Sequence, residues 1–399
     1  MPLQAFIVDA CRTATGKRNG RISHWHPADL GAVVVDALIE RNHINPNVVD
    51  DVIFGCVSQI GAQAGNIGRN VVLSSMLPEC VPGTSVNRAC GSSQQAIHFA
   101  TQAVMSGTQD IVIAGGVEVM SLIPIFSAES DGTKAGRGDR YSNGIKQRYP
   151  NIVFSQFKGA ELVAKKYGIN RDEMEEFAYQ SHKNAYEATQ EGRFNSEIVP
   201  IQGFDKKKNI DSLHNIDEGI RWPTDVEKLK SLKTILKDGS LTAGTASQIS
   251  DGASAILICN ERGLELLGLK PRAKIIALAV AASDPVTMLD TPILATRKVL
   301  SNAGLHINDI DLYEVNEAFA SVPLAWKKEI NADAKKLNVN GGAIALGHPL
   351  GGTGSKLMTT LLNELERRGL RYGLQAICEG GGTANATIIE VIPSTSSKI

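Results

Sequence analysis

The chain has 399 residues, with 41 Lys and Arg against 42 Asp and Glu and a formal net charge of −1. This length predicts two or three domains, each able to bury a substantial core. The balanced charge argues against a nucleic-acid-binding protein, which would carry a basic excess, and 43% hydrophobic residues argue against disorder. No apolar run reaches the ~18 residues that a transmembrane helix needs, so we expect no membrane span.

Six cysteines are spread along the chain without the spacing of a disulfide scaffold, a pattern typical of reduced thiols in a cytosolic protein. The chain starts with the apolar segment 5–8 rather than with a secretory signal or a transit peptide. We therefore expect a cytoplasmic protein. The C-terminal residues 397–399 (Ser-Lys-Ile) come close to the Ser-Lys-Leu peroxisomal address without matching it, so peroxisomal targeting stays open. The cysteines are Cys11, Cys56, Cys80, Cys90, Cys259 and Cys378.

Short runs rich in Val and Ile alternate along the chain with longer segments of helical periodicity. This alternation predicts a mixed α/β protein with buried sheets. The predicted strands cover residues 4–8, 51–56, 110–115, 253–259, 273–281, 310–315, 373–378 and 386–392. Apolar residues recur at intervals of three and four in the predicted helices, which cover residues 28–41, 91–106, 290–303 and 352–368.

Residues 122–250 differ from the rest of the chain in their charge. They hold 19 of the 41 Lys and Arg, whereas residues 1–121 hold seven. The same segment has 18 acidic residues, so its overall charge does not decide between two interpretations. One is a solvated, partly helical insertion, and the other is a lobe that offers positive charge to an anionic ligand.

Two parts of the chain follow one plan, which predicts an internal duplication. Residues 87–116 contain a small polar turn, a helix with an apolar face, a glycine and a strand that ends in two glycines. Residues 340–382 contain a Gly-rich turn, a helix, a glycine and a strand followed by three glycines. A duplicated α/β unit would present a turn and a helix N-terminus from each half to a common cleft.

Cys90 lies in the segment Asn87–Ser93, at the start of the predicted helix 91–106. A thiol at a helix N-terminus faces unpaired backbone N–H groups and a partial positive charge. Both favour the thiolate, so we expect a lowered pKa and a potential nucleophile. The alternative is a small buried thiol that only starts a helix.

Two polar positions later in the chain suit acid–base work. His348 lies in the turn 340–349, where glycines leave little other side-chain bulk, and this favours a positioned general base over an ordinary surface histidine. Asn316 and Glu317 directly follow a predicted strand, where a buried polar pair needs hydrogen bonds. Asn316 could orient a water or support a catalytic histidine, or it could cap the next helix.

Cys378 ends a predicted strand and is followed by Glu379 and the glycines 380–382. Backbone amides in such a run can point into a site and form an oxyanion hole. The alternative is a tight turn between two strands. A redox pair of Cys90 and Cys378 is a minor possibility, because the two lack C-x-x-C spacing.

The sequence lacks the motifs of metal and nucleotide sites. It has no zinc-ligand spacing of Cys and His, no P-loop and no G-x-G-x-x-G motif after a strand. The serine nucleophile motif G-x-S-x-G is also absent. We therefore expect no metal and no permanently bound cofactor, and we assign the chemistry to thiols and an imidazole.

Together these motifs resemble the thiolases, the coenzyme A-dependent enzymes that make or cleave 3-oxoacyl-CoA. The resemblance covers essentially the whole chain, from Arg12 to the final strand. Each motif is weak alone, but their order and spacing together are specific. The matching segments are Asn87–Ser93, Ala114–Glu118, Thr242–Gly244, Asp251–Ala253, Asn316–Phe319, Gly347–Pro349 and Cys378–Gly382.

The resemblance implies an α/β fold of two βαβαβαββ halves, packed in five layers as α-β-α-β-α with an inserted loop lobe. We expect an N-terminal half over residues 1–268, which includes the lobe 122–250, and a C-terminal half over residues 269–399. The family also implies a homodimer or a homotetramer.

The resemblance implies roles for five residues. Cys90 is similar to the nucleophile that takes the acyl group as a thioester, and His348 to the base that activates it and donates to one oxyanion hole. Cys378 resembles the acid/base that moves a proton to or from the acetyl-CoA carbon. Asn316, through a water, is the implied partner of His348. The backbone N–H groups of Cys90 and Gly380 are the implied second oxyanion hole.

By the same resemblance, coenzyme A is a substrate held by the lobe, with Ser247 near its pantetheine and Arg221 near its adenine-phosphate part. We expect ping-pong cleavage of 3-oxoacyl-CoA, or the reverse condensation, through an acyl-Cys90 intermediate. Residues 155–157 (Ser-Gln-Phe) replace the His-Met of biosynthetic acetoacetyl-CoA thiolases, although Met288 matches a pocket methionine. This favours a degradative or broad acyl range over dedicated acetoacetyl-CoA synthesis. A non-catalytic acyl-CoA-binding protein is the remaining alternative.

Overall fold

The computed structural model describes residues 3–393, so the C-terminal tripeptide 397–399 lies outside the described residues. This range contains 13 strands and 13 α-helices. The strands are β1 (Phe6–Thr13), β2 (Gly16–Lys17), β3 (Asp51–Gly55), β4 (Gly83–Val86), β5 (Ile111–Val119), β6 (Ile198–Val199), β7 (Ile201–Asp205), β8 (Ile210–His214), β9 (Ser250–Cys259), β10 (Ala273–Ala282), β11 (Leu312–Val315), β12 (Tyr372–Glu379) and β13 (Thr383–Val391). The helices are α1 (Pro27–Arg41), α2 (Ile67–Ser74), α3 (Ser92–Ser106), α4 (Ser127–Lys134), α5 (Asn143–Arg148), α6 (Gln156–Tyr167), α7 (Arg171–Gln190), α8 (Val226–Lys230), α9 (Glu261–Leu267), α10 (Thr291–Ala303), α11 (Ser321–Ile330), α12 (Ala343–Leu346) and α13 (Thr353–Arg368).

The first half of the chain forms a mixed sheet with the strand order β4-β3-β5-β9-β1. Strand β3 runs parallel to β4 and β5, whereas β9 runs antiparallel to β5 and β1. Strands β5 and β9 are buried along their whole length, as is typical of strands covered on both faces.

The second half repeats this plan with the strand order β11-β12-β13-β10. Strand β11 runs parallel to β12, and β13 runs antiparallel to β12 and β10. Tyr313 of β11 also forms a parallel bridge with Leu337, at the place that β4 takes in the first half. The predicted duplication is confirmed, with the third strand of the second copy reduced to this bridge.

Helices on three levels complete the layers. Apolar side chains of α3 and α13 form one buried cluster with residues of both sheets, so these two helices lie between the sheets. Helices α1 and α2 cover the outer face of the first sheet, and α10 and α11 cover that of the second. The two sheets meet at one edge, where Phe6 and Ile7 of β1 pair with Lys274 and Ala273 of β10. The predicted α-β-α-β-α arrangement is confirmed.

Local sequence signals explain where the main helices begin and end. Helix α1 begins with Pro27, and the ring of His26 before it accepts the backbone N–H of Ala28. Helices α3 and α13 stop at Gly107 (φ 73°) and Gly369 (φ 64°), because glycine adopts this left-handed backbone without strain. The four predicted helices correspond to α1, α3, α10 and α13.

The eight predicted strands all overlap observed ones. The sequence pattern does not predict β4, α2 or α11, because these elements are short and β4 carries a single apolar residue, Val86. Among the helices within residues 3–393, none is both long and apolar enough to cross a membrane.

Residues 120–249 connect β5 to β9 and form the lobe. They contain α4 to α8 and the antiparallel hairpin of β7 and β8. Helix α7 begins with a reciprocal cap, in which Asn170 and Glu173 each accept the other's backbone N–H through their side chains. Helix α6 packs against α11 of the second half through a cluster that includes Val163 and Val322. Five helices make this insertion partly helical, as one of the two interpretations of its sequence predicts.

A buried arginine joins the lobe to the scaffold. Arg12 at the end of β1 is fully buried, and its Nε donates to Glu197 Oε1 at 2.6 Å. Its two Nη atoms donate to both oxygens of Asp217 at 2.8 and 3.0 Å. Because both carboxylates belong to the lobe, this bidentate network fixes the lobe against the first sheet.

Candidate functional site

Cys90 lies in the turn that joins β4 to α3. Helix α3 starts at Ser92, and Ala89 takes a left-handed φ of 45°, a strained conformation for a residue with a side chain. The Ser92 hydroxyl stabilises the turn, because it accepts the Arg88 N–H at 2.9 Å and donates to the Ala89 carbonyl at 2.6 Å. The Cys90 side chain is thereby held at a cavity wall with only 4% of its surface exposed.

The resting state of Cys90 differs from the expectation. Burial raises the pKa of its thiol to about 12, and the charge of Glu379 adds to the rise. The backbone N–H groups of Cys90 and Gly380 act in the opposite direction by stabilising the thiolate. The predicted lowering of the pKa is therefore wrong, because desolvation outweighs the helix N-terminus. A base must take the proton before the sulfur can attack.

His348 lies between α12 and α13 and lines the same cavity as Cys90. Its Nδ1 is 2.6 Å from Thr353 Oγ1, and that hydroxyl donates its single proton to the Pro349 carbonyl at 2.8 Å. The hydroxyl therefore accepts from Nδ1–H, so Nε2 carries no proton and accepts from Asn316 Nδ2 at 3.4 Å. Burial, aided by the charge of Lys356, lowers the pKa of the imidazole to about 3. His348 is thus a neutral base that accepts at Nε2.

Lys356 fixes the loop that carries His348. Its buried Nζ donates to the carbonyls of Leu346 at 2.7 Å and Gly347 at 2.9 Å. Burial lowers the pKa of Lys356 to about 7. Gly347 has a φ of 79°, and a Cβ there would lie 2.3 Å from Ser250 Oγ. The backbone before His348 is therefore held from both sides.

Asn316 and Glu317 point to different partners. Asn316 Nδ2 lies 3.4 Å from His348 Nε2, and its buried Oδ1 has no hydrogen-bond partner among residues 3–393. The carboxylate of Glu317 accepts from Ser181 at 2.7 Å and from two further donors, one of them in α12 just before His348. Asn316 does not cap the next helix, because the N-cap of α11 is Ala320. Glu317 clamps the loop, and Asn316 faces the imidazole.

Cys378 is buried near the end of β12, next to the turn 380–382. Gly381 and Gly382 have φ angles of 92° and 79°, which glycine adopts without strain. The turn between strands that the sequence offered as an alternative is present, and it also aims the Gly380 N–H at the Cys90 thiol. Burial raises the pKa of Cys378, as does the charge of Cys90, so the two sulfurs share one site. Both are free thiols.

A cavity of about 1200 Å³ opens onto this site. Cys90, His348, Gly380 and Gly381 line its inner end, and residues between 125 and 157 of the lobe form much of its wall. Cys378 does not line the cavity but lies behind it, in the apolar cluster that contains Met288 and Phe319.

Aromatic rings form much of the cavity wall. Phe154 packs against Tyr141 and Tyr149 with ring centroids 5.3 and 5.4 Å apart. Phe157 packs edge-on against Phe319 at 5.6 Å. The residues that replace the His-Met of biosynthetic enzymes therefore do form the pocket wall, and Met288 lines the cavity as well.

The two residues expected to contact coenzyme A lie apart. Ser247 lines the cavity, and its backbone N–H donates to the Ala318 carbonyl at 2.9 Å. Arg221 is exposed and does not line the cavity, and its backbone N–H donates to His182 Nδ1 at 3.2 Å. The structure therefore brings Ser247, but not Arg221, to the catalytic residues.

Sequence reasoning missed three residues of the site: Thr353, Lys356 and Glu379. Thr353 follows His348 closely at the start of α13, and this spacing is the one signal that could have identified it. Lys356, within a predicted helix, and Glu379, directly after a predicted strand, give no such signal, because a charged residue at such a position is usually solvated. Their burial comes from packing between the two halves.

The arrangement suits acyl transfer through a thioester. A thiol nucleophile, a neutral imidazole with an unprotonated Nε2 and inward-facing backbone N–H groups surround one apolar cavity. Two family models match the chain: the thiolase N-terminal domain over residues 5–262 and the thiolase C-terminal domain over residues 269–391. The chain belongs to the thiolase family. It is an acyltransferase that acts on CoA thioesters.

Individual thiolases are similar over nearly the whole chain. The steroid 3-ketoacyl-CoA thiolase of Mycobacterium tuberculosis is 52% identical over 390 residues, which cover 97% of this chain and 94% of the relative. A 3-ketoacyl-CoA thiolase of Marinobacter nauticus is 41% identical, with 98% and 99% covered. The crystal structure of the Bacillus anthracis acetyl-CoA acetyltransferase superposes with a TM-score of 0.88 at 35% identity, covering 98% of this chain and 99% of that one.

Proposed function

We propose that this thiolase cleaves 3-oxoacyl-CoA molecules that carry a bulky, apolar acyl group. The observation that carries the proposal is the cavity of about 1200 Å³, walled by aromatic rings, against Cys90. A pocket of this size is typical of a ligand much larger than an acetoacetyl group. The relative at 52% identity is named for a steroid 3-ketoacyl-CoA, which supports an acyl group that contains rings.

In the first half-reaction, His348 Nε2 takes the Cys90 proton while the sulfur attacks the 3-oxo carbon. The N–H groups of Cys90 and Gly380 receive the negative charge on oxygen. The bond between C2 and C3 then breaks, and its electrons form the enolate of acetyl-CoA, whose oxygen accepts from His348 and Asn316. Cys378 gives its proton to C2, so acetyl-CoA leaves and the acyl group stays on Cys90 as a thioester.

In the second half-reaction, the Cys378 thiolate takes the proton of a coenzyme A thiol. The coenzyme A sulfur attacks the acyl-Cys90 carbonyl, and the Cys90 sulfur leaves. The protonated imidazole of His348 returns the proton to Cys90, which restores both thiols and the neutral base. Because the first product leaves before coenzyme A reacts, we expect ping-pong kinetics.

The surroundings of the site complete the proposal. Ser247 contacts the pantetheine from the cavity wall, and Arg221 lies outside, where it can reach only the adenine-phosphate part. The N-terminal half of the chain ends at residue 268, and the C-terminal half begins at residue 269. The protein works in the cytoplasm. It assembles as a homodimer or a homotetramer. The free edge of β4 and the exposed Phe99 and Met105 of α3 support an assembly, because each leaves unpaired surface.

A thiolysis assay with matched substrates tests the substrate class. kcat/KM is measured by ultraviolet absorbance for 3-oxoacyl-CoA with a four-carbon, a sixteen-carbon and a fused-ring acyl group. We expect the fused-ring substrate to have the highest kcat/KM, and a maximum at four carbons would contradict the proposal. Cys90→Ala should be inactive with every substrate and should not be labelled by radioactive acetyl-CoA. Acyl labelling of this variant to the same extent as wild type would remove Cys90 from its role.

Dedicated acetoacetyl-CoA synthesis is the second candidate. The likeness to the Bacillus anthracis acetyl-CoA acetyltransferase and the methionine at residue 288 favour it. The same assay separates the two functions, because a biosynthetic enzyme would prefer the four-carbon substrate.

A further inference from the structure

Glu379 is a buried carboxyl group beside the site that the reaction above does not use. It ends β12, next to Cys378, and pairs across the turn with Thr383 of β13. Its Oε2 accepts a hydrogen bond from the Thr383 hydroxyl at 2.5 Å. Its Oε1 is buried and has no hydrogen-bond partner in the described part of the chain. An unpartnered buried carboxyl oxygen destabilises a fold, so its presence at a reacting centre points to a role there.

The Glu379 carboxyl group occupies the space that a side chain at residue 91, just before α3, would fill. A Cβ on Gly91 would lie 2.0 Å from Glu379 Oε1, so residue 91 must be glycine for the carboxyl to lie here. Asn385 of β13 donates from Nδ2 to the Gly91 carbonyl at 3.0 Å, and this bond keeps residue 91 next to Glu379. The carboxyl is therefore fixed against the residue that follows Cys90.

The charge of Glu379 acts on both thiols of the site. When ionised, it raises the pKa of Cys90 and of Cys378. Burial raises the pKa of Glu379 itself to about 8, against opposing effects of the Thr383 hydroxyl and Arg88. At neutral pH the carboxyl is therefore largely protonated, and the thiols face a neutral neighbour.

Few other charges face this group. Arg88, in the turn before α3, lowers the pKa of Glu379, and the thiols of Cys90 and Cys378 interact with its charge. Glu118 of β5 raises the pKa of Cys90. The first turn of α3 and the facing residues of β13 contribute uncharged side chains only. Among the charges that raise the pKa of Cys90, that of Glu379 has the largest effect.

We propose that Glu379 is a positioning residue that controls the ionisation of Cys90 from its place against the start of α3. While Glu379 is protonated, no carboxylate charge lies beside the Cys90 thiolate, so the Cys90 proton can pass to His348. When it is ionised, the carboxylate opposes that thiolate. The carboxyl neither gives nor takes a proton during turnover. The inference rests on the proposed function only in taking Cys90 as the nucleophile.

Alkylation of Cys90 across a pH range tests this control. Wild type and Glu379→Gln are treated with iodoacetamide between pH 6 and 10, and alkylation at residue 90 is followed by mass spectrometry of the peptide. Glutamine keeps the size of the side chain but cannot ionise. We expect equal rates below about pH 7 and a rate about tenfold higher in E379Q at pH 10, the effect of about one pKa unit.

The shape of the rate ratio decides the outcome. A ratio of E379Q to wild type that stays constant across the range, whether above or below one, would overturn the proposal, because a purely structural role affects every pH alike. Thr383→Val is the second variant. It removes the hydroxyl that stabilises the Glu379 carboxylate, so the pKa of Glu379 should rise. The pH above which ionised Glu379 slows the alkylation of Cys90 should therefore be higher in T383V than in wild type. If E379Q does not fold, an unchanged profile in T383V overturns the proposal instead.

This experiment is independent of turnover. Iodoacetamide reports the thiolate of Cys90 even in a protein without thiolytic activity, so a failed thiolysis assay leaves the alkylation result readable. Conversely, an active enzyme with a constant rate ratio would reject only the role of Glu379.

Discussion

The connection between β5 and β9 and the connection between β12 and β13 hold the same place in the two halves, yet they differ greatly. The first spans residues 120–249 and builds the lobe. The second spans residues 380–382, three glycines. Both reach the cavity in front of Cys90, the long one as aromatic wall and the short one as backbone N–H groups.

The comparison shows that the place of a connection and its contribution to the site have different causes. The duplicated sheets fix where both connections meet, whereas the length of each connection decides what it contributes. A three-residue turn holds the Gly380 N–H in a fixed position next to Cys378 of β12, which suits catalysis. A long connection can change its shape without moving the thiols, which suits the choice of substrate. Variants in each connection should therefore affect different steps.

Among variants around the two connections, the largest effect is expected for Cys378→Ser, in β12 just before the short connection. Serine is a much weaker acid than cysteine, so proton transfer at the acetyl-CoA carbon should slow by about 10³-fold. Acylation of Cys90 from an acyl-CoA donor uses the Cys378 proton only to protonate the departing coenzyme A thiolate, which is a much weaker base than the enolate carbon, so this step should slow far less. Rapid-quench measurement of the two steps checks this, and an equal loss in both would contradict the role assigned to Cys378.

A matched pair of glycines compares the two connections directly. Gly381 (φ 92°) and Gly136 of the lobe (φ 69°) both have left-handed backbone and empty space where a Cβ would go. Alanine at either costs about 1–2 kcal/mol of backbone strain. Gly381→Ala should also shift the adjacent N–H of Gly380 and lower kcat about 10²-fold. Gly136→Ala should keep kcat within twofold of the wild-type value. Equal losses of kcat in both variants would contradict the assignment of catalysis to the short connection.

The lobe should affect substrate choice rather than chemistry. Phe157→Ala removes a ring that lines the cavity and packs edge-on against Phe319. We expect kcat/KM for a fused-ring 3-oxoacyl-CoA to fall about tenfold through lost apolar contact, and that for the four-carbon substrate to stay within about twofold. A uniform loss with both substrates would show that Phe157 supports the catalytic residues instead.

The smallest effect is expected when the pH is lowered, because the protonation state of His348 should not change over the working range. Because burial lowers the pKa of its ring to about 3, it should stay neutral throughout the working range. The native state then binds fewer protons than the unfolded chain between about pH 6.5 and 3. In that window acid lowers the free energy of unfolding. NMR of the ring should show a constant chemical shift from pH 8 to 5, and a titration midpoint above pH 5 would contradict this.

Much of the scaffold and the main residues of the site could be predicted from sequence. Cys90, His348, Asn316 and Cys378 each lie at the end of a strand or in a turn, and a glycine directly adjoins Cys90 and His348. Such positions remain visible in a linear pattern. The duplication was visible for the same reason, because both copies place a turn, a helix and a strand in one order.

The electrostatics of the site could not be predicted from sequence. The helix start at residue 92 suggests an acidic thiol, but the sequence does not show how deeply Cys90 is buried or that Glu379 approaches from the other half. The orientation of His348 likewise depends on Thr353 and Lys356, and both belong to a helix packed between two sheets. Desolvation and contacts across the duplication arise only in the folded chain.

The fully buried Arg12 has a consequence for how a substrate enters. Its bidentate grip on Asp217 and its bond to Glu197 tie the lobe to the first sheet, and removing one partner of such a network costs about 3–5 kcal/mol. These bonds therefore hold residues 197 and 217 of the lobe against the first sheet before any substrate binds. We expect a bulky acyl group to be accommodated instead by the stretch 126–153 of the cavity wall, which is largely exposed.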